Sequence, residues 1–424
     1  MPSPAWTRRS FLRAAAATAA TAMTPLAPAA PAASRKKIAM IGTAIYPRSH
    51  GQHFLDRLAL GYTWGGDWQQ PRTDLVALYA DQFPAGDLAR SRAQHYKIPL
   101  FPSIADALTL GTGKLAVDGV VIIGEHGDYP QNEKGQTLYP RYEFFQEVIK
   151  VFEASGRSVP VFNDKHLSTD WTKCAAMVAD AKRLGFPFLA GSSLPVTRRF
   201  PSIDVPWGAP LVESVCAGYG TVDRYDFHGL ETAQCMSERR RGGEVGIRSV
   251  QALRGTTMWE RVAGLGQTQK LLTAALCRSH TLPAKDGYPT AAISFDWARR
   301  AFPEAFAYFI EHRDGFHTTL FMLPIRDFNY AGLDGAGGAI TSCQMYLPMP
   351  GASATTADFF NPLVRYIEGM VIENRAPYPV ERTLLTSGML TAAIESLHRD
   401  GALIETPEMD VRYTAPEESQ YWKD

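Results

Sequence analysis

The stretch "GEHGDYP" places Glu125, His126 and Asp128 almost side by side, directly after the apolar run "VDGVVII". Two carboxylates and an imidazole can move protons, orient a polar ligand or share a divalent cation. Further along, "VPVFNDKHLSTD" sets Asp164, Lys165 and His166 after a second apolar run, and "RYDFHGLETAQCM" spaces His228 and Glu231 at i and i+3. That spacing puts both side chains on one face of a helix start, where they can address one ligand. An imidazole with an ordinary pKa of roughly 6.5 suits acceptance of an alcohol proton near neutral pH. A lysine held against a hydroxyl lowers that hydroxyl's pKa and eases proton loss. Each group also has a plain structural reading: a solvated loop, a surface lysine, a satisfied core histidine.

The surrounding elements bear on that choice, because in open α/β sheets ligands gather at the carboxyl ends of the strands. From residue 36 the pattern alternates: "KKIAMIGTA" a strand, "GQHFLDRLALGY" a helix, "TDLVALYAD" a strand, "GDLARSRAQHY" and "IADALTL" helices, "VDGVVIIGE" a strand, "YPRYEFFQEVIKVFEASG" a long amphipathic helix, "VPVFND" a strand. Such alternation implies a parallel sheet with crossover helices. Near residue 195, "SLPVTRRFPSIDVPWGAP" loses all periodicity and reads as a crossing between domains. Beyond it, "AFAYFIEHRDGFHTTLFMLP" reads as a hairpin, "AITSCQMYLP" as a further strand, and the segments beginning "NPLVRY" and "PVERTL" as helices, which favours a mainly antiparallel sheet.

This order of motifs resembles the Gfo/Idh/MocA family, the glucose-fructose oxidoreductase and inositol dehydrogenase group, from about Lys36 to Pro407. The resemblance implies a Rossmann-type parallel-sheet domain over 34–190, followed over 191–424 by an α+β domain with an open-faced, mainly antiparallel sheet for substrate binding and self-association. Asp164 and Lys165 match the acid and lysine of the family's Glu-Lys-Pro segment, with His166 in place of proline. His228 and Glu231 match its histidine and following acid. The resemblance thus implies Asp164, Lys165, His228 and Glu231 as catalytic residues. His228 would be the general base, Lys165 the proton-sharing partner and Glu231 the orienter. His126, Asp128, His166, Ser193 and Arg198 would contact substrate. For the cofactor it implies NAD or NADP, contacted by Gly42, Thr43, Gly51, Asp81 and Glu125. An acid at Asp81, after the second strand, takes ribose hydroxyls and disfavours a 2′-phosphate, which points to NAD. The loop "GTAIYPRSHGQHF" departs from G-x-G-x-x-G, offering only Gly42 and Gly51, with Thr43, Ser49 and a helix N-terminus as further phosphate contacts.

The N-terminus carries Arg8 and Arg9 before Phe11 and Leu12, then an Ala-rich run and Ala-x-Ala sites. It resembles a twin-arginine export signal over 1–33, which implies passage through the twin-arginine translocase and a periplasmic or otherwise exported protein. Lys plus Arg and Asp plus Glu both number 43, so no net field favours nucleic acid or an anionic membrane. The five cysteines lack metal-ligand spacing and read as buried free thiols, and no metal is expected. The leading expectation is an exported sugar or polyol oxidoreductase with a tightly bound nicotinamide, possible as a homo-oligomer and without a membrane span. Two other functions stay open: a non-catalytic carbohydrate-binding protein on a degenerate scaffold, and a metal-dependent lyase or hydrolase built on Glu125, His126, Asp128, His166 and His228.

Overall fold

Seven of the eight residues of β1 (Lys37–Ala44) are buried, as a central parallel strand requires when helices cover both of its faces. The computed structural model describes residues 34–283, 294–348 and 356–423, so the export signal expected over 1–33 lies outside the described residues. β1 runs parallel to β4 (Asp74–Gln82) on one side and β5 (Gly119–Ile123) on the other, and β6 (Val161–Asp164) and β7 (Phe188–Gly191) complete a five-stranded parallel sheet. A short hairpin of β2 (Tyr62–Trp64) and β3 (Asp67–Gln69) stands apart. The crossover helices are α1 (His50–Leu60), α2 (Ala89–Tyr96), α3 (Ile104–Thr109), α4 (Arg141–Ser155) and α5 (Trp171–Leu184). Ser49, Ser103 and Asp170 start three of them by accepting a hydrogen bond from a first-turn N–H, which satisfies donors that the helix itself leaves unpaired.

The second sheet holds eight strands. They are β8 (Arg199–Phe200), β9 (Leu211–Tyr219), β10 (Ile247–Arg254), β11 (Phe306–His312), β12 (His317–Leu323), β13 (Phe328–Asp334), β14 (Ile340–Met345) and β15 (Ile404–Glu405), in the order β15-β10-β11-β12-β9-β13-β14-β8. All its pairings are antiparallel except β9 with β12. Between Leu194 and Pro210, where periodicity is lost, the two residues of β8 form the one strand, beside an isolated bridge from Ala209 to Arg240. Side chains alternate between two cores. Cys216, Tyr308 and Leu320 pack beneath α6 (Asp226–Ser237) and α11 (Glu381–His398). Val215, Phe309 and Phe321 pack beneath α7 (Gly255–Ala263), α8 (Gly266–Leu276) and α9 (Phe295–Ala301). The face expected to be open therefore carries the chain's own helices, with Trp259 of α7 and Trp297 of α9 buried in the core they share with it.

The chain then returns to the first sheet. Helix α10 (Asn361–Glu373) lays Leu363, Ile367, Met370 and Val371 into the core that holds Ile38, Phe54 and Leu78. The division at 190 is thus crossed a second time, and residues 36–424 cluster as one unit. Four of the five cysteines are buried free thiols as expected, while Cys277 is exposed. No described helix is long and apolar enough to cross a membrane.

Candidate active site

Three non-glycine residues at the carboxyl end of the parallel sheet occupy left-handed backbone: Arg48 (φ 71°), His126 (φ 73°) and Lys165 (φ 66°). Such conformations cost about 1–3 kcal/mol each and gather where side chains must be aimed at a ligand. Arg48 and His126, with His50, His53, Ser193, Tyr225 and His228, line a cavity of about 120 Å³ closed on its apolar side by Leu347, Ala357, Phe359 and Phe360. Arg57 holds that apolar side in place, donating from Nη2 to the Ala357 carbonyl and from Nε to Asn361 Oδ1, each at 2.7 Å.

Beside the cavity lies a buried charge cluster. Arg141 Nη2 donates to Glu125 at 2.7 Å, and Lys165 Nζ lies 3.4 Å from the other carboxylate oxygen. Burial pushes the Glu125 carboxyl up, but Lys165 and then Arg141 outweigh it and hold the group well below the usual carboxylate range. Lys165 also donates to the Arg224 carbonyl at 3.1 Å. An ammonium has three donors, so these contacts leave one for a ligand. Burial, and secondarily the charge of Lys165, pushes the His228 imidazole well below its ordinary value. Burial likewise brings His53 and His126 down to about 4. The site thus holds neutral rings around one ammonium, and His228 Nδ1 and His126 Nε2 are buried without a protein partner.

On the side of the cavity toward β6, His50 Nδ1 lies 2.6 Å from Asp164 Oδ2, a pair joining the first residue of α1 to the last of β6.

No protein-family profile and no curated protein matches this chain. Solved structures do. GenD2 from gentamicin A biosynthesis, in complex with NAD, aligns with a TM-score of 0.54 at 13% identity over 90% of this chain and 99% of its own. A myo-inositol dehydrogenase from Lactobacillus casei, in complex with NAD(H) and myo-inositol, aligns with a TM-score of 0.54 at 10% identity over 88% and 97%. One from Corynebacterium glutamicum gives 0.51 at 12% over 88% and 99%. The likeness is one of fold.

Within that fold the structure brings Glu125, His126, Lys165, Ser193 and His228 to the cavity or its edge, and places other expected residues elsewhere. Glu231 shares the helix of His228 but turns to the end of β7. There Oε2 accepts from Ser192 N at 2.7 Å and Oε1 faces the Thr383 and Thr386 hydroxyls. It joins backbone to helix α11 instead of orienting a ligand. Gly191, at φ 117°, leaves room for this carboxylate, which a Cβ would approach to 2.6 Å. Asp128 is exposed, and its backbone is clasped by the Gln82 side chain through two hydrogen bonds. His166 sits behind the charge cluster, where its Nε2 accepts from Arg141 at 3.0 Å. Arg198 stacks on Trp422 at 3.6 Å, away from the cavity lining. Thr43 is fully buried and donates its hydroxyl proton to the Glu125 carbonyl at 2.6 Å, so it cannot also serve a phosphate. Asp81 stands exposed at the end of β4, holding the Tyr79 and Tyr129 hydroxyls at 2.9 and 2.7 Å.

The two glycines of the first loop differ. A Cβ on Gly51 would lie 2.9 Å from Ile45 Cγ1 and 3.3 Å from the Ala44 carbonyl, so this glycine permits close packing of α1 on β1, whereas Gly42 has ordinary space. Among the described residues no group of three or more His, Cys, Asp or Glu side chains is arranged to hold a metal ion. Glu125 is taken up by cations and Asp128 is exposed and absent from the cavity lining, which removes two ligands from the metal-dependent reading. Sequence reasoning missed His50, His53 and Arg141. For His50 and His53 a signal existed in "SHGQH", two imidazoles three apart at a helix start. Nothing local marks Arg141 as buried.

Proposed function

We propose that this chain is an oxidoreductase that removes hydride from a carbinol carbon of a sugar or polyol and passes it to a nicotinamide dinucleotide. The observation that carries this reading is Lys165, on strained backbone just after β6 and over the ring of the cavity residue Tyr225, close enough to the neutral cavity residue His228 for its charge to act on that ring, above a Rossmann-type sheet. The structural neighbours bound to NAD support it, as do the polar groups along the sheet's edge. Asp81 stands where ribose hydroxyls bind in such folds, with spare lone pairs beyond its two tyrosines. Helix α1 begins close behind β1, its N-terminus suited to phosphates. His126, whose Nε2 has no protein partner, lines the cavity. The carboxylate of Asp81 favours NAD over its 2′-phosphorylated form.

The nicotinamide would supply the hydride acceptor. The protein's part is to bind the alcohol, exclude water and take its proton. The cavity, small beside the ~300–1,000 Å³ of typical ligand pockets, receives the reacting end of the polyol. Lys165 gives its remaining N–H to the carbinol oxygen and stabilises the negative charge that develops there. The neutral His228 ring accepts the hydroxyl's hydrogen bond. The burial that keeps it neutral also makes it a weak base, fit to pass the proton onward. We further read the Arg8–Arg9 segment as directing export of the folded protein, cofactor enclosed.

The test is to purify the protein from cells, denature it and identify released nucleotide by mass spectrometry, then titrate emptied protein with NAD and NADP. Near-stoichiometric nucleotide, or submicromolar binding of NAD, is the expected result. Absence of nucleotide together with no binding of either would overturn the reading and favour a carbohydrate-binding protein. The Thr43 and Gln82 ties across the sheet's edge are the feature that would favour that alternative.

A further inference from the structure

Four imidazoles line the cavity, and of these four only His50 has a carboxylate among the described residues as hydrogen-bond partner. Asp164 is fully buried at the end of β6 and aims one oxygen at His50 Nδ1 from 2.6 Å. Such a bond places a proton on Nδ1, so that in the neutral ring Nε2 carries the lone pair at the outer end. Nε2 meets no hydrogen-bonding partner among the described residues, and the ring is 16% exposed and lines the cavity. The ring is held edge-on against His126 and Phe360, at centroid distances of 5.6 and 5.0 Å, so its orientation is set on several sides. A buried acid fixing the tautomer of an imidazole that faces a ligand cavity is the arrangement that makes histidine an effective base. His228 lacks it, since its Nδ1 has no partner.

We propose that His50, oriented by Asp164, is the catalytic base of this cavity, with Asp164 a positioning residue. The O–H bond of a ligand hydroxyl breaks, its electron pair stays on oxygen next to Lys165, and the proton forms an N–H bond at Nε2, directly or by way of His228. The resulting imidazolium is paired with the Asp164 carboxylate. The proton step needs no other reactant. Its coupling to turnover rests on the oxidoreductase reading.

Full-length protein labelled with 15N-histidine tests the arrangement by two-bond proton–nitrogen correlation, with the His50 signals identified by their loss in His50→Gln. The expected spectrum shows His50 as the Nδ1–H tautomer, and Asp164→Asn, whose amide would donate to Nδ1, converts it to Nε2–H. His50 as Nε2–H in the native protein, or a tautomer indifferent to Asp164→Asn, would overturn the proposal. With NAD and myo-inositol as probes, His50→Gln is expected to lower kcat at least 100-fold with KM changed no more than a few-fold. A wild-type kcat in that variant would equally overturn it. If the native protein binds no NAD, the oxidoreductase reading falls, and the tautomer measurement still decides the fate of the His50–Asp164 pair.

Discussion

At Glu231, a carboxylate expected beside the ligand turns out to anchor a strand end. Burial raises its pKa to about 7 against the hydrogen bonds from Ser192, so ionising it in the folded protein is unfavourable. The sign follows from linkage: the folded state binds this proton more tightly than the unfolded chain, so stability is greatest below the ordinary value of 4.5 and falls as pH rises toward 7. The span amounts to about 3 kcal/mol at full ionisation. Glu231→Gln keeps the shape and abolishes the titration. Urea midpoints for the variant should therefore be flatter between pH 5 and 8 than the native ones, and equal to or above them at pH 8. Lys165 calls for the opposite expectation. Lys165→Met strips Glu125 of one of two cations in a buried setting, so stability should fall by about 1–3 kcal/mol in denaturant titration. On the proposed reaction, turnover should fall by ~100-fold or more, because the charge assigned to the carbinol oxygen is gone. A variant as active as the native protein would remove Lys165 from the proposed reaction.

Among elements, the returning helix α10 decides how the two sheets are joined. A Cβ on Gly119 would lie 2.5 Å from Val371 Cγ2, so the first residue of β5 is the floor on which this helix rests. Gly119→Ala should cost about 1–3 kcal/mol by overpacking. Val371→Ala alone should cost about 1–3 kcal/mol through its cavity. The double variant should cost clearly less than the sum of the two, since each change relieves the other; simple additivity in thermal or urea unfolding would deny the contact. The strands of the parallel sheet were legible in sequence because burial on both faces leaves continuous apolar runs, as in β5. Helix α10 was legible as a helix, but its docking site lies some 250 residues earlier in the chain, and no local pattern carries that information. The same holds at the site. Lys165 and His228 stood out by motif order, whereas the His50–Asp164 pair spans 114 positions. The i, i+3 spacing of His228 and Glu231 told which side of α6 they share, not that β7 would occupy half of that side. The helices α7 to α9 on the second sheet were hidden for a related reason: alternation in a strand marks a buried face without saying what buries it.

For the molecule as a whole, the threading of the chain has a thermodynamic consequence. One continuous core contains Ile38 and Leu78 from the first sheet, Tyr330 and Cys343 from the second, and Phe360, Leu363 and Ile367 from the segment that returns. The hydrophobic free energy of burying those side chains, about 1.5–3 kcal/mol for each large one, is shared by both sheets and is lost together if either unfolds. Arg57 strengthens the coupling, since its guanidinium is spent on Ala357 and Asn361, and Tyr62 adds a 2.8 Å hydrogen bond to Glu368 in α10. Proteins of this length often unfold in steps. Here residues 36–424 should unfold in one transition, with circular dichroism reporting helices throughout and tryptophan fluorescence, which includes the buried Trp259 and Trp297 of the second sheet's helices, tracing the same midpoint. On the proposed cofactor binding, saturating NAD should move both midpoints upward together, because a ligand at the sheet's carboxyl edge would bind only the folded whole. Two separated midpoints, with the tryptophan signal persisting after the parallel sheet is lost, would show that the returning helix does not bind the sheets into one cooperative unit.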